Sequence, residues 1–372
     1  MPADQLSVRK LGHSELEVSA LSLGSWRTYE RLDERTGIAI LRAARDEGVT
    51  FFDDARYDDE SGQAPIRTGF SEVVFGKLFR GAGLRRDEVV VANKLWWEFW
   101  PEQSAAQELE ASLDRMGFDC VDLIYASAPR DGMSVADLVE AVGGLIAGGK
   151  ARAWGVLNWP AGLVAGAAEA AAGLAVPPPC AAQLPYSVVR RSPVEDPAMT
   201  SALGMARAGV VASFCLEGGL LSGKYLTGQE PGRAAGTLAG VHAAHPLAAA
   251  RELAGLAGQL ETTPAALALA FALGGPGVSS ALFGATSPGQ VRANCEAVRL
   301  LGRLGPGDIA ALRGIAAAGA DGRRPPELPE VTAGEHVDEG HQRDDGEDRP
   351  RELRRGRQVR TGREVDPDQH DG

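Results

Sequence analysis

Eight short apolar segments recur along the chain, and each is rich in the residue types that favour β-strands. Their starts lie roughly thirty to forty residues apart, except for a wider gap before the last. Between them, segments such as 36–48, 104–117 and 134–149 place apolar residues at spacings of three and four, which predicts amphipathic helices. The predicted strands begin at Val18, Val49, Val89, Cys120, Ala151, Cys180, Val210 and Ser279.

Strands that alternate with helices form parallel sheets, and nearly continuous apolar runs indicate strands that are buried on both faces. Eight such units favour a closed α/β barrel, the (β/α)8 or TIM barrel. The competing arrangement is an open doubly wound sheet, which would place a GxGxxG turn after an early strand. No such turn follows the first predicted strand, and residues 6–21 could supply a hairpin that plugs the barrel bottom.

Two segments stand apart from this repeat. Residues 224–246 form a long Gly- and Pro-rich connection before the last strand, which we interpret as a lid over a cofactor. After residue 320 about half of the residues are charged and large apolar side chains are almost absent, so no core can form. We therefore predict a barrel over 1–320 and a disordered charged tail over 321–372, either a solubilising extension or a partner-binding arm.

Composition excludes several classes of function. A formal charge of −12 argues against nucleic-acid binding, which depends on clustered Lys and Arg. No segment has the roughly 18 consecutive apolar residues of a membrane span, and the first ten residues lack the apolar core of a signal peptide. The four cysteines lack metal-ligand spacing, so no metal site is expected. We expect a cytoplasmic enzyme.

Polar residues at the predicted strand ends carry the candidate chemistry, because catalytic residues of such barrels lie at the C-terminal ends of the strands. Asp53 and Tyr57 follow the second strand, and Lys94 ends the third. A buried ammonium beside a phenol favours the phenolate and brings its pKa closer to neutral, while the carboxylate compensates the ammonium. Such a phenol can protonate a carbonyl oxygen while a hydride reaches the carbon.

The same segments resemble the aldo-keto reductase family in order and spacing over roughly residues 6–300. The motifs are LGHSELEVSALSLGSW, GVTFFDDARYDD, VVVANKLWW, DLIYASAPRDG, GKARAWGVLNW, AAQLPY, GGLLSGKY and LFGATSPGQVRANCEAV. The nearest resemblance is to the branch of potassium-channel β subunits and bacterial reductases. It implies a TIM barrel that binds NADP(H) and reduces a small-molecule carbonyl substrate, and it leaves a homo-oligomer open.

The resemblance also implies roles for individual residues. It makes Asp53 and Lys94 catalytic, with Ser25 and Trp26 touching the cofactor and Asn158 and Gln183 holding the nicotinamide carboxamide. The cofactor's phosphate groups and adenine would meet residues of the lid and of the last strand–helix connection, where an ordinary N-capped helix is the alternative interpretation of TSPGQVRAN. These residues are Lys224, Arg233, Gly284, Thr286, Gln290 and Asn294.

Several positions depart from the family pattern. The catalytic Tyr normally lies five residues after the Asp, but Tyr57 stands one residue early, so it is either the proton donor or a pocket-lining tyrosine. Ser127 falls at the position of the catalytic His; a hydroxyl donates a hydrogen bond but has a shorter reach. In the seventh strand, Phe214 and Leu216 fall within the family's usual aromatic-Ser-Pro-Leu run, so stacking on the nicotinamide is either weakened or taken over by Phe214.

Four aromatic residues follow Lys94: Trp96, Trp97, Phe99 and Trp100. They form either a hydrophobic substrate wall or packing against the outer helices. The leading hypothesis is an NADPH-dependent reductase of an aldehyde or ketone with an apolar body. The alternative, motivated by Ser127 and the early Tyr57, is an NADP(H)-binding redox sensor or regulatory subunit with little turnover.

Overall fold

A computed structural model describes residues 6–59, 62, 64–227 and 244–317. The chain begins with an antiparallel hairpin of β1 (Val8–Lys10) and β2 (Glu17–Ser19). Its turn lies against the strand starts at the barrel bottom: a Cβ on Gly12, at φ +56°, would collide with the backbone of Cys180 and Gly209. The predicted plug is therefore present, and it requires glycine at that position.

Eight parallel strands form a closed barrel. Each strand pairs with the next along the chain, and the last pairs with the first, so the barrel has no exposed edge. All eight predicted strands are confirmed. They are β3 (Leu21–Gly24), β4 (Phe51–Asp53), β5 (Val90–Leu95), β6 (Val121–Ala126), β7 (Ala151–Leu157), β8 (Ala181–Pro185), β9 (Gly209–Ser213) and β10 (Val278–Phe283).

The connecting segments are helical, as their apolar periodicity predicts. Ser104 and Ser134 begin two of the helices with reciprocal capping boxes, and Gly117 ends the first of these two in the left-handed conformation. The helices are α1 (Glu34–Asp46), α2 (Phe70–Ala82), α3 (Ala105–Met116), α4 (Val135–Ala147), α5 (Ala161–Leu174), α6 (Ser192–Glu195), α7 (Pro197–Ala206), α8 (Ala244–Gln259), α9 (Pro264–Leu273), α10 (Pro288–Leu301) and α11 (Pro306–Ala317).

Successive side chains along each strand point to opposite faces, which divides the core into two layers. Phe52 and Val91 point outward and pack beneath the helices, whereas Phe51 and Ala92 point into the barrel. The same alternation turns Asp53 and Lys94 inward at the C-terminal mouth. The fold thus places the candidate residues at the end where the connecting loops meet.

The described residues confirm the predicted (β/α)8 class with its N-terminal hairpin. Most of the predicted lid, including Arg233, lies outside them, as does the predicted tail over 321–372. Those two predictions stay predictions.

Candidate active site

Asp53, Lys94 and Tyr57 meet at the mouth of the barrel. Lys94 Nζ lies 2.5 Å from Asp53 Oδ1, and the two side chains are only 3% and 2% exposed. The same ammonium donates to Tyr57 Oη at 3.0 Å. The phenol that stands one residue early in the sequence therefore still contacts the lysine.

Burial dominates the electrostatics of this trio. Burial alone lowers the pKa of Lys94, but the charge of Asp53 and the hydroxyl of Tyr57 outweigh it and raise that pKa, so the lysine stays protonated. Burial raises the pKa of Tyr57, and Lys94 offsets only part of that rise. The ammonium thus acts in the expected direction and lowers the pKa of Tyr57, but desolvation of the phenolate is the larger effect and holds that pKa above its usual value.

Gln183 connects the trio to the opposite side of the barrel. Its Nε2 donates to the second oxygen of Asp53 at 2.8 Å, so both carboxylate oxygens have a buried donor. The amide oxygen of Gln183 is left to accept from another group. Asn158 lies beside it at the end of β7, exposed and at φ +57°, with its backbone N–H on the carbonyl of Gln183.

Ser127 is turned away from the proton-donor position. Its hydroxyl donates to the backbone carbonyl of Trp96 at 3.2 Å. The indole N–H of Trp97 in turn donates to the carbonyl of Ser127. Ser127 therefore stabilises the loop after Lys94, and in this conformation its proton does not point to a substrate.

The residues after Lys94 divide between the two interpretations that the sequence left open. Trp97 is 1% exposed and packs beneath the helices. Trp96 packs inside the mouth with its ring centre 6.1 Å from that of Tyr57. Trp100 is half-buried and packs against the same outer core, whereas Phe99 is exposed, with its ring 5.9 Å from the guanidinium carbon of Arg56. Packing beneath the helices therefore takes up Trp97 and Trp100, and Trp96 packs inside the mouth.

The first strand's predicted contacts are both near the mouth. Trp26 and Phe214 are half-buried, and their ring centres lie 5.4 Å apart. The Ser25 hydroxyl donates to Asp54, a second carboxylate at the end of the same strand as Asp53, to which the sequence analysis gave no role. Burial and the neighbouring Glu72 raise the pKa of Asp54 well above its usual range.

The loop after β9 has a strained backbone. Phe214 and Glu217 have φ of 52° and 47°, a left-handed conformation that is unfavourable for both side chains. Glu217, also missed, is fixed there by Arg190 at 2.9 Å and by the hydroxyl of Ser187 at 2.7 Å. Leu216 is half-buried within this loop.

Lys224 follows that loop, half-buried, with its ammonium 4.6 Å from the ring centre of Tyr225. Arg233, its predicted partner in the lid, lies outside the described residues.

The last group lies where β10 leads into α10. Ser287 caps that helix by accepting from the Gln290 amide, and Gln290 Oε1 accepts from the Thr286 amide at 2.8 Å. Gly284 is half-buried beside them, and Asn294 is buried one turn into the helix. The structure brings these residues together, and it also realises the ordinary N-capped helix that was the alternative.

Comparison with known proteins identifies the family. A model of the aldo/keto reductase family matches residues 20–317. A relative named probable voltage-gated potassium channel subunit beta, from Oryza sativa subsp. japonica, is 31% identical over 320 residues, which is 81% of this chain and 94% of the relative. One of that name from Arabidopsis thaliana matches equally, and a putative channel subunit beta from Schizosaccharomyces pombe is 32% identical, covering 80% of this chain and 90% of the relative.

The chain belongs to the aldo/keto reductase family, a family of oxidoreductases that generally bind NAD(P)H. The resemblance seen in its motifs is confirmed, including the likeness to channel β subunits. Among the described helices, none alone is long and apolar enough to cross a membrane; α8 and α9 reach that length only together, across a bend of 96°.

Proposed function

We propose that this chain is an NADP(H)-dependent oxidoreductase that reduces an aldehyde or ketone. The observation that carries the proposal is the contact of Tyr57 Oη with Lys94 Nζ at 3.0 Å, with Lys94 in turn paired to Asp53. A phenol held by a permanent ammonium at the mouth of a barrel is suited to deliver a proton to a carbonyl oxygen.

Each residue of the trio has a separate task. Lys94 donates to one lone pair of the Tyr57 oxygen, which leaves the phenolic proton directed elsewhere and ready for transfer. After transfer, the same ammonium stabilises the phenolate. Asp53 keeps the buried ammonium compensated, because an unpaired charge at 3% exposure would be costly.

The donor set around the mouth fits a nicotinamide dinucleotide. The amide oxygen of Gln183 and the exposed side chain of Asn158 suit a carboxamide, and Trp26 and Phe214 offer ring faces for a nicotinamide. Lys224 would approach the pyrophosphate, and the capped start of α10 with Thr286, Gln290 and Asn294 would meet the adenosine end. When bound, the cofactor supplies the hydride.

The mouth favours a substrate with an apolar body. Trp96 packs inside it with its ring centre 6.1 Å from that of Tyr57, and the guanidinium of the nearby Arg56 is paired with Glu98 at 2.7 Å. An aromatic or aliphatic aldehyde or ketone matches these walls.

The test combines binding with turnover. Fluorescence titration with NADPH and NADH should show tighter binding of NADPH. A panel of aromatic, aliphatic and sugar carbonyls should then produce oxidation of NADPH that is lost in Lys94→Met while its NADPH affinity stays within several-fold. Absence of turnover on every carbonyl would contradict the proposed activity, and equal activity in Lys94→Met would remove Lys94 from the mechanism.

One observation favours a second candidate, a redox sensor or regulatory subunit that binds NADP(H) and turns over little. The Ser127 hydroxyl is committed to the Trp96 carbonyl, so the position of the family's His provides no donor. The relatives named as channel β subunits are consistent with such a role. Tight NADPH binding with negligible turnover, together with a partner recovered by the full chain, would favour this candidate.

A further inference from the structure

Tyr57 reaches Lys94 although it lies four residues after Asp53, one fewer than the family pattern. The backbone explains the reach. The N–H of Tyr57 donates to the carbonyl of Ala55 at 2.9 Å, which closes a tight three-residue turn with Arg56 at its centre.

Arg56 is buried at ion-pair distance from two carboxylates, although one terminal nitrogen of its guanidinium makes no hydrogen bond to the described residues. Its side chain is 7% exposed, and one guanidinium nitrogen lies 2.7 Å from Glu98 while another lies 3.7 Å from Glu108. The ring of Phe99 lies 5.9 Å from the guanidinium carbon and covers it. A planar fork can meet two carboxylates at once, which a lysine ammonium on a flexible stem does poorly.

Glu108 also contacts the segment that follows Lys94. Its two oxygens accept the backbone N–H groups of Trp96 and Trp97, at 2.8 and 3.2 Å. Trp96 and Trp97 lie two and three residues after Lys94 in the same segment. One buried carboxylate therefore joins the segment holding Tyr57 to the segment holding Lys94.

We propose that Arg56 is a positioning residue: through Glu98 and Glu108 it holds the centre of the turn so that Tyr57 Oη stays within hydrogen-bond distance of Lys94 Nζ. The proposal rests on the proposed function, since it names the residue that aligns its proton donor. Arg56 itself contacts no reacting atom. Its substitution should change the chemical step more than the binding of cofactor or substrate.

Arg86 provides a matched control at the opposite end of the barrel. It also pairs with a buried carboxylate, Asp122 at 2.6 Å, and its guanidinium carbon lies 5.6 Å from the ring of Phe118. It precedes β5 instead of following β4, and no contact among the described residues joins it directly to Tyr57. Arg86→Met therefore removes a comparable ion pair and aromatic contact without touching the mouth.

The experiment compares Arg56→Met, Arg56→Lys and Arg86→Met with the wild-type full chain. In Arg56→Met we expect kcat to fall about 100-fold, the size of effect that a misplacement of about 1 Å produces. KM and the NADPH dissociation constant should stay within about threefold, as for an interaction that acts in the transition state. Arg56→Lys should recover part of kcat, and Arg86→Met should keep the wild-type value.

A crystal structure of Arg56→Met decides the same point without turnover. We expect the distance between Tyr57 Oη and Lys94 Nζ to lengthen beyond hydrogen-bond range, above about 3.5 Å. If Arg56→Met does not fold, Glu98→Gln, at a side chain 15% exposed, replaces it and should lower kcat and lengthen that distance in the same direction.

Three results would overturn the proposal: a wild-type kcat in Arg56→Met, an unchanged 3.0 Å contact in its structure, or an equal loss in Arg86→Met. If the wild type reduces no carbonyl, the proposed function fails instead. The crystallographic distance then still decides whether Arg56 positions Tyr57.

Discussion

Replacing Lys94 with methionine tests the buried pair at the centre of the site. The change removes the ammonium 2.5 Å from Asp53 and leaves a carboxylate that is 2% exposed. Breaking such a pair from one side costs about 3–5 kcal/mol of unfolding free energy. Because Gln183 still donates to the other oxygen of Asp53 at 2.8 Å, we expect Lys94→Met to lose about 3 kcal/mol of unfolding free energy, the lower end of that range.

Urea unfolding of the cofactor-free protein measures this cost, since bound cofactor would add its own stabilisation. The double variant Asp53→Asn/Lys94→Met removes both charges, so it should recover about 2 kcal/mol relative to Lys94→Met alone, a coupling typical of residues in direct contact. Arg86→Met serves as a control for a pair away from the site. If the losses of Asp53→Asn and Lys94→Met simply add, the two side chains do not interact and the arrangement described is wrong.

Three further changes test other parts of the site. Tyr57→Phe should lower kcat at least about 1,000-fold, because the variant lacks the general acid. Its NADPH affinity should be unchanged in a fluorescence titration. An unchanged kcat would mean that water supplies the proton. Burial raises the pKa of Asp54, so the folded state keeps a proton that the unfolded chain releases, and stability falls as pH rises from about 4 through the folded pKa. In Asp54→Asn, stability should decrease less between pH 5 and pH 8 than in the wild type, as measured by the urea midpoint at each pH. An equal decrease in the two proteins would contradict a buried neutral Asp54. Gln183→Glu places a second carboxylate against Asp53 and should weaken cofactor binding at pH 8 more than at pH 6.

The sequence predicted the barrel because its strands are buried on both faces. Nearly continuous apolar runs such as 89–95 indicate strands covered on both faces, and eight of them favoured a closed barrel over an open doubly wound sheet. Side chains alternate between the two faces of each strand, and this alternation also predicts that Asp53 and Lys94 point into the barrel. Both predictions depend on backbone geometry alone.

The contacts that depend on turns and side-chain conformations could not be predicted. Tyr57 reaches Lys94 through a turn centred on Arg56, and no pattern in DDARYDD predicts that turn. The hydroxyl of Ser127 is bonded to a backbone carbonyl, a choice that only the folded loop determines.

Buried carboxylates were missed for a related reason. Glu108 lies at an inward position of an amphipathic helix, and Glu217 lies between apolar residues and two glycines. A charged residue at a position that the pattern assigns to the core was the available signal. Their partners, Arg56 and Arg190, come from other loops, so the ion pairs themselves were invisible in the sequence.

Hydride transfer is tested most directly with NADPH that carries deuterium on both faces of carbon 4 of the nicotinamide, by mass spectrometry of the alcohol formed from a carbonyl substrate. We expect one deuterium on the former carbonyl carbon with the wild-type protein, and loss of labelled alcohol in Tyr57→Phe and Lys94→Met. A product without label, or equal labelling in both variants, would contradict hydride transfer assisted by these two residues.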